Sequence, residues 1–250
     1  MGVSMIFRSK SELDYYLKRN CSFINFGSKG SAYYDKRTKA VIKIFDMALS
    51  LEEYRHFEYR DLDFLRFSDA LNPTYLFPYE VITLEGRDVG YFAHAARGKS
   101  LYKLDPLIVD LDSIKRAYMT TLVDMRKISR KGILTDDLPY NTLFSTSTER
   151  FYMVDTDDYH IVEDDDDKIY QDNASQLAYT VKTFLVDGYF DDFVNADKEL
   201  CDLYKEGDLL PFLKAYKKKL SERVGKEVNT LGDAKDIQDE EHWREYMRIL

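Results

Sequence analysis

Apolar and polar positions change period several times along the chain, and each change marks an element. Residues 9–19 (SKSELDYYLKR) carry Leu13, Tyr16 and Leu17 at helical spacing, which predicts a short helix with Ser11 as its N-cap. From Ser22 the period drops to two. SFINFG and SAYYD alternate around the glycines at 27 and 30, and residues 40–46 (AVIKIFD) are β-branched and apolar with one lysine inside. Residues 51–69 return to a spacing of three or four through Tyr54, Glu58, Leu62 and Leu65, predicting a helix that Asn72-Pro73 ends. PYEVITL, a turn over 85–88 and VGYFAHAA then read as a hairpin.

Beyond Gly98 the pattern is mainly helical. Residues 101–131 are predicted as mostly helix, with the clearest apolar spacing over 109–127. A small β segment follows over 142–155, TLFST and FYMVD joined by a polar turn. Residues 172–186 (DNASQLAYTVKTFLV) read as a buried helix, and residues 209–223 and 240–250 as amphipathic helices that close the chain. No repeat or Gly/Pro/Ser-rich linker interrupts this order. Strands with one helix, then a helical half, predict an α+β fold in two lobes.

Composition narrows the classes. The 250 residues are 44% hydrophobic, 32% charged and 14% aromatic, which suits a chain that packs a core and excludes a disordered one. A net charge of −9 gives no general attraction to phosphate backbones or anionic lipid, so neither a nucleic-acid nor a membrane partner is expected. Cys21 and Cys201 form no CxxC or Cys/His cluster and fit a reducing compartment. No apolar run approaches the roughly 18 residues of a membrane span. The N-terminal residues lack a signal-peptide core, and Ile6 stands where a myristoylation motif has Ser or Thr. A cytoplasmic location is the expectation.

Two clusters bear candidate chemistry. Gly27-Ser28-Lys29-Gly30-Ser31-Ala32 lies between two strand-like runs, where glycines let the backbone turn tightly and approach phosphate oxygens. Alone, such a pair of glycines marks an ordinary hairpin. Thirteen residues on, Lys43 stands inside AVIKIF, and a lysine in a buried strand needs a partner for its ammonium. The second cluster, KGILTDDLPYNTLF over 131–144, brings two carboxylates and an amide close together.

Taken in order, these runs resemble the protein-kinase-like superfamily. FGSKGSAYYDKRTKAVIKIF is similar to its glycine-rich loop and V-A-I-K strand, with Gly27 and Gly30 at the second and third glycines and Asn25 at the first. KGILTDDLPYNTLF resembles the catalytic loop through Gly132, Ile133, Leu138, Asn141 and Leu143, but is one residue short. Counting forward from Gly132 puts the catalytic aspartate at Asp137, the favoured assignment; counting back from Asn141 puts it at Asp136. Asp155, fourteen residues after Asn141, is similar to the metal-binding aspartate of D-F-G, with Thr156 and Asp157 replacing Phe and Gly. Asp157 is a candidate additional ligand. The resemblance covers roughly residues 20–190.

The resemblance implies a bilobal fold, residues 1–96 forming an N-lobe and 97–250 a helical C-lobe. It implies Mg-ATP as cofactor, with Lys43 on the α- and β-phosphates and Asn141 and Asp155 on the metal. Glu58 would pair with Lys43, Glu52 and Glu53 being the competitors. Ala32 and Val41 would roof the adenine, Ala93 would be the gatekeeper, and His94 to Ala96 would form the hinge. Gly27, Gly30, Ala32, Val41, Lys43, Glu58, His94, Ala96 and Leu143 are thus the implied nucleotide contacts. The H-R-D histidine and arginine fall on Thr135 and Asp136, so activation by a loop phosphate is not expected. Asp172 resembles the aspartate opening the buried C-lobe helix, which leaves sixteen residues after Asp155 for an activation segment. The acidic run 163–167 in that segment is a solvated loop or a lure for a cationic substrate. The implied function is an atypical kinase whose acceptor, a cationic molecule or a protein, the residues do not name. The alternative is a pseudokinase that binds nucleotide or a partner without turnover, and a third reading on the same fold is nucleotidyl transfer.

Overall fold

A computed structural model describes residues 5–237 and is α+β, built on a mixed six-stranded sheet with several helices. The chain divides into two compact units. One comprises Met1–Ala96 with Asp155–Asp157, the other Arg97–Val154 with Asp158–Leu250.

The first unit begins with β1 (Met5–Phe7) and helix α1 (Lys10–Asn20), followed by β2 (Cys21–Phe26), β3 (Gly30–Asp35) and β4 (Ala40–Phe45). Ser9, not Ser11, caps α1, its hydroxyl accepting from the Glu12 amide while the Glu12 carboxylate accepts from the Arg8 amide. After a short α2 (Leu51–Tyr54) come β5 (Pro78–Leu84) and β6 (Arg87–His94). The sheet order is β1-β5-β6-β4-β3-β2, with β1 parallel to β5 and the other pairs antiparallel. Glu85 and Gly86, at φ 52° and 78°, make the tight β5–β6 turn. On β4, Ala40, Ile42 and Ile44 point one way into the core, while Val41, Lys43 and Phe45 alternate to the other face.

Residues 51–69 depart from the expected helix. Only Leu51–Tyr54 is α-helical; turns and a short 3-10 helix, Ser68–Ala70, follow. Phe45 explains the change. Its ring packs on Phe57, Tyr59 and Phe64, with centroids 5.3, 5.6 and 5.2 Å away. At 100° per residue a helix would point 57 and 59 about 200° apart. A folded chain delivers both to one ring, and Asp63 assists by accepting from the Leu65 amide.

The second unit is mainly helical, with short strands β7 (Lys99–Ser100), β8 (Ile133–Leu134), β9 (Thr142–Ser145), β10 (Arg150–Met153) and β11 (His160–Ile161). Its long helices are α3 (Leu111–Ser129) and α5 (Asp166–Val186), with the single turn α4 (Leu138–Asn141) between them. The helix expected over 101–131 starts only at Leu111, where Asp110 caps it through the Ser113 amide; two 3-10 turns precede it. Buried Leu111, Ile114, Tyr118, Met125 and Ile128 form its inner stripe. α6 (Asp191–Asn195), α7 (Lys198–Lys205) and α8 (Leu209–Val224) complete the unit. Lys182, wholly buried on α5, donates to the carbonyls of Leu203, Tyr204 and Glu206 and so closes the C-terminal end of α7.

α5 begins six residues before the expected start at Asp172. Asp165 caps it by accepting from the amides of Asp167 and Lys168, and Asp166 and Asp167 occupy the first turn. The acidic run therefore serves mainly as a helix start, where negative charge is favourable. Lys168 and Arg126 pair with Asp164 and Asp167. Tyr159, in the same segment, is fully buried. The helix expected over 240–250 lies outside the described residues. Among the described residues no helix is long and apolar enough to cross a membrane.

Candidate functional site

In the first unit the sheet puts a small-residue patch beside a buried lysine. Residues paired in register share a face. Lys43 pairs with Ala32 on one side and Tyr91 on the other, and Val41 pairs with Ala93. Ala32, Val41, Ala93 and Tyr91 thus surround Lys43 on one face, with Phe45 following; the ammonium lies 5.0 Å from the Phe45 ring centre.

The partners of Lys43 come from far along the chain. Its ammonium donates to Asp155 and to both carboxylate oxygens of Asp157, at 2.9 and 3.1 Å. The expected pairing with Glu58 is absent, because that residue stands exposed on the turns replacing the helix. Tyr91, buried, donates its hydroxyl to Asp157 Oδ1 at 2.9 Å and to Asp155 Oδ1 at 3.4 Å. Arg66 Nη2 donates to the Asp157 carbonyl oxygen at 2.8 Å. These bonds explain why Asp155–Asp157 belongs to the first unit while its flanks belong to the second.

Two carboxylates on one ammonium leave a surplus negative charge. Asp155 is pushed above the ordinary carboxylate range, by burial first and by the adjacent Asp157 next, against the pull of Lys43. Asp157 is held below that range; burial works against it, but the hydrogen bond with Asp155, the charge and hydrogen bonds of Lys43 and the Tyr91 hydroxyl outweigh burial. Tyr91 is pushed well up by burial and by the two carboxylates. Asp155 also has φ 55°, a left-handed backbone that a non-glycine residue adopts at a cost.

The glycine loop divides into two cases. A Cβ on Gly30 would lie 2.0 Å from the Ile44 carbonyl oxygen, so the close passage of β4 alone demands this glycine. Gly27 has open space, its nearest neighbour 4.0 Å from a Cβ, and its amide bonds the Gly30 carbonyl at 2.8 Å. Lys29 at the loop tip lies over the Tyr59 ring, 4.6 Å from its centre. His94 is exposed at the end of β6 with its ring 4.8 Å from that of Tyr79, and Ala96 is the last residue of the unit's first stretch.

The second unit holds the other candidates. Asp137 has φ 51° and ψ 34° and precedes α4, whose last residue is Asn141. Asn141 Nδ2 donates to Asp137 Oδ2 at 3.4 Å, so one turn brings amide and carboxylate together. Asp136 instead folds back to accept from the Asp137 amide at 2.8 Å. Leu143 is half-buried on β9, paired with Tyr152 of β10 and Ser100 of β7. The loop is anchored from below by Asn173, fully buried on α5. Asn173 Oδ1 accepts from the Thr135 amide (2.8 Å) and hydroxyl (2.9 Å), and its Nδ2 donates to the Ile133 carbonyl oxygen (2.9 Å) and Ser129 Oγ (3.2 Å). Asp172, the residue the resemblance selects, is exposed.

Tyr91, Arg66 and Asn173 are therefore site residues that the sequence reading did not select. Tyr91 carried a signal: it is a hydroxyl inside an apolar strand, two residues from Ala93, and a buried tyrosine needs a partner. Among the described residues no group of three or more Asp, Glu, His or Cys is placed to hold a metal ion, and the carboxylates nearest to such a role are Asp155 and Asp157. No protein-family model and no curated protein matches the chain.

Proposed function

We propose that the chain is an atypical ATP- and Mg²⁺-dependent phosphotransferase of protein-kinase-like, bilobal fold. One observation carries this reading: Lys43, buried beside Ala32, Val41 and Ala93, is held by two aspartates that follow a second motif more than a hundred residues later. The residues suit the group. The small apolar face would suit an adenine, and the surplus charge of Asp155 and Asp157 against a single ammonium would suit a divalent cation. Gly27 leaves its backbone open to phosphate, whereas Gly30 speaks only to strand packing.

Bound Mg-ATP supplies the transferable phosphoryl group. In the first unit Lys43 would neutralise phosphate charge and Asp155 would hold the metal; in the second, Asn141 would offer an amide oxygen to a metal, and Asp137 would orient the acceptor hydroxyl and take its proton. Asp137 is preferred to Asp136 because its carboxylate meets Asn141, while that of Asp136 is turned to the main chain. A second reading, a nucleotide-binding pseudokinase, is favoured by the same ion pairs, since Lys43 is already engaged by two carboxylates.

Thermal melting with and without millimolar Mg-ATP, beside a phosphate-release assay, tests both. Binding raises the melting temperature by mass action, about 2.7 kcal/mol of stabilisation at a hundred times Kd. Lys43→Ala and Asp155→Ala each shrink that shift. A shift with turnover that Asp137→Asn abolishes supports the enzyme; a shift without turnover supports the pseudokinase. No shift for the wild type refutes both nucleotide readings.

A further inference from the structure

A phosphotransferase of this kind needs one carboxylate to hold its lysine and another to hold its metal, yet both aspartates contact Lys43. Their surroundings differ. The Asp157 side chain is 1% exposed, and that of Asp155 is 41% exposed. Asp157 gives both oxygens to Lys43, accepts the shorter Tyr91 bond, and has its own carbonyl gripped by Arg66. Asp155 gives a single oxygen, Oδ1, to Lys43 and to a longer Tyr91 contact.

We infer that Asp157, clamped by Tyr91, is the permanent counter-ion of Lys43, and that Asp155 is the exchangeable carboxylate that leaves the lysine for the metal. The assignment of Asp155 rests on the phosphotransferase reading; that of Asp157 does not. Moving a fully buried carboxylate off its ammonium strands two charges away from water, whereas a carboxylate partly open to water is rehydrated as it turns. Asp157 therefore stays and Asp155 moves. The consequence is regulatory. Glu58 is exposed, so the lysine is positioned by residues of its own sheet and of the 155–157 turn, with no helix that must swing in to supply a carboxylate. The lysine half of the site is assembled before any ligand arrives. Asp157 and Tyr91 are positioning residues: they act through Lys43.

Double-mutant cycles in thermal stability, run without nucleotide, test the counter-ion. Lys43→Met and Asp157→Asn are each expected to lower the melting temperature by roughly 6–12 °C, and the double variant to melt no lower than the worse single one. Lys43→Met with Asp155→Asn is expected to be close to additive. Stronger coupling of Lys43 to Asp155 than to Asp157 overturns the assignment. Should Asp157→Asn fail to fold, Tyr91→Phe removes one hydrogen bond and keeps the ring; its effect is expected to vanish in the Lys43→Met background, and an undiminished effect there overturns the clamp. The metal half is read by titrating Mg²⁺ at fixed ATP. Asp155→Asn is expected to raise the Mg²⁺ needed for half-maximal thermal shift at least tenfold. Asp157→Asn and Tyr91→Phe are expected to weaken ATP binding at saturating Mg²⁺ while leaving that Mg²⁺ midpoint within twofold. The reverse pattern exchanges the two aspartates and refutes the inference. A wild type unmoved by Mg-ATP overturns the role of Asp155 together with the phosphotransferase reading, and the nucleotide-free cycles still decide that of Asp157.

Discussion

Asn173→Ala is the most direct perturbation of the loop that carries Asp136 and Asp137. The wild-type side chain makes four hydrogen bonds at 2.8–3.2 Å, all within the second unit. Two of the groups keep other partners, since the Thr135 hydroxyl also reaches Gln176 and the Ser129 hydroxyl donates to the Met125 carbonyl. The alanine variant thus mainly deprives the Thr135 amide and the Ile133 carbonyl. Each deprived backbone group costs about 1–3 kcal/mol when buried, so a total of about 3 kcal/mol is expected, allowing for a water entering the gap. At about 2–4 °C per kcal/mol this is a fall of roughly 6–12 °C in melting temperature. Circular dichroism melts measure the loss, and hydrogen exchange locates it: the peptide spanning 133–137 should exchange faster. Asn173→Asp supplies a sign. Its carboxylate still accepts from Thr135 but presents an oxygen to the Ile133 carbonyl, so the folded state favours the protonated acid, which restores a donor. Its folded pKa then lies above the unfolded value near 4, and relative to wild type its stability improves as pH falls from about 7 toward 4. An alanine variant melting within about 2 °C of wild type, with unchanged exchange at 133–137, refutes the anchoring role.

Gly30→Ala is expected to cost about 2–4 kcal/mol or abolish folding because its Cβ meets the β4 backbone, while Gly27→Ala folds normally; equal melting temperatures refute the distinction. Glu149 accepts from Arg116 and Ser113, and these bonds, the Arg116 one first, hold its carboxyl down at about 2 rather than 4.5. Because the folded value is depressed, its contribution is complete above about pH 4.5 and is lost as pH falls toward 2. Carboxyl NMR should show Arg116→Ala moving this titration upward, and an unmoved titration refutes the pairing.

Strands β2 to β6 and the β9–β10 pair were legible from β-branched and aromatic runs bounded by turn residues, as AVIKIF is between Lys39 and Asp46, although β4 is buried at almost every position rather than on alternate ones. Residues 51–69 misled because the spacing of Tyr54, Glu58, Leu62 and Leu65 matches a helix locally, while Phe45, outside the window, recruits Phe57 and Tyr59 together. The start of α5 was hidden by an acidic run that reads as solvated loop but equally well as cap and first turn. Within α5, positions 169, 173 and 177 line the buried stripe, and Asp172 is turned about 100° away from Asn173. The motif spacing singled out Lys43, Asp137, Asn141 and Asp155. The ion pair between Lys43 and Asp157 joins residues 114 apart in sequence and leaves no local signature.

Five non-glycine residues among those described have positive φ, and their places differ in meaning. Lys39, Glu85 and Glu149 lie in the turns of the β3–β4, β5–β6 and β9–β10 hairpins, where left-handed residues let the strands pair with their natural twist. Asp137 and Asp155 lie in no hairpin, and they are the aspartates to which the proposed function gives the proton and the metal. Backbone strain held where no turn needs it points to a side chain kept for another purpose. Asp137 gives the cleaner test because it is exposed, unlike Asp155, whose carboxylate pairs with the buried Lys43. If only the left-handed backbone mattered at this position, glycine would be at least as good, since it occupies φ 51° without penalty. Asp137→Gly is therefore expected to leave the melting temperature unchanged or raise it by about 2–4 °C, corresponding to at most about 1 kcal/mol. On the proposed phosphotransferase reading, phosphoryl transfer should fall at least about a hundredfold over the same substitution, the usual contribution of a positioned general base. A variant that loses stability and activity together, in proportion, would show that Asp137 holds the loop and that the chemistry lies elsewhere.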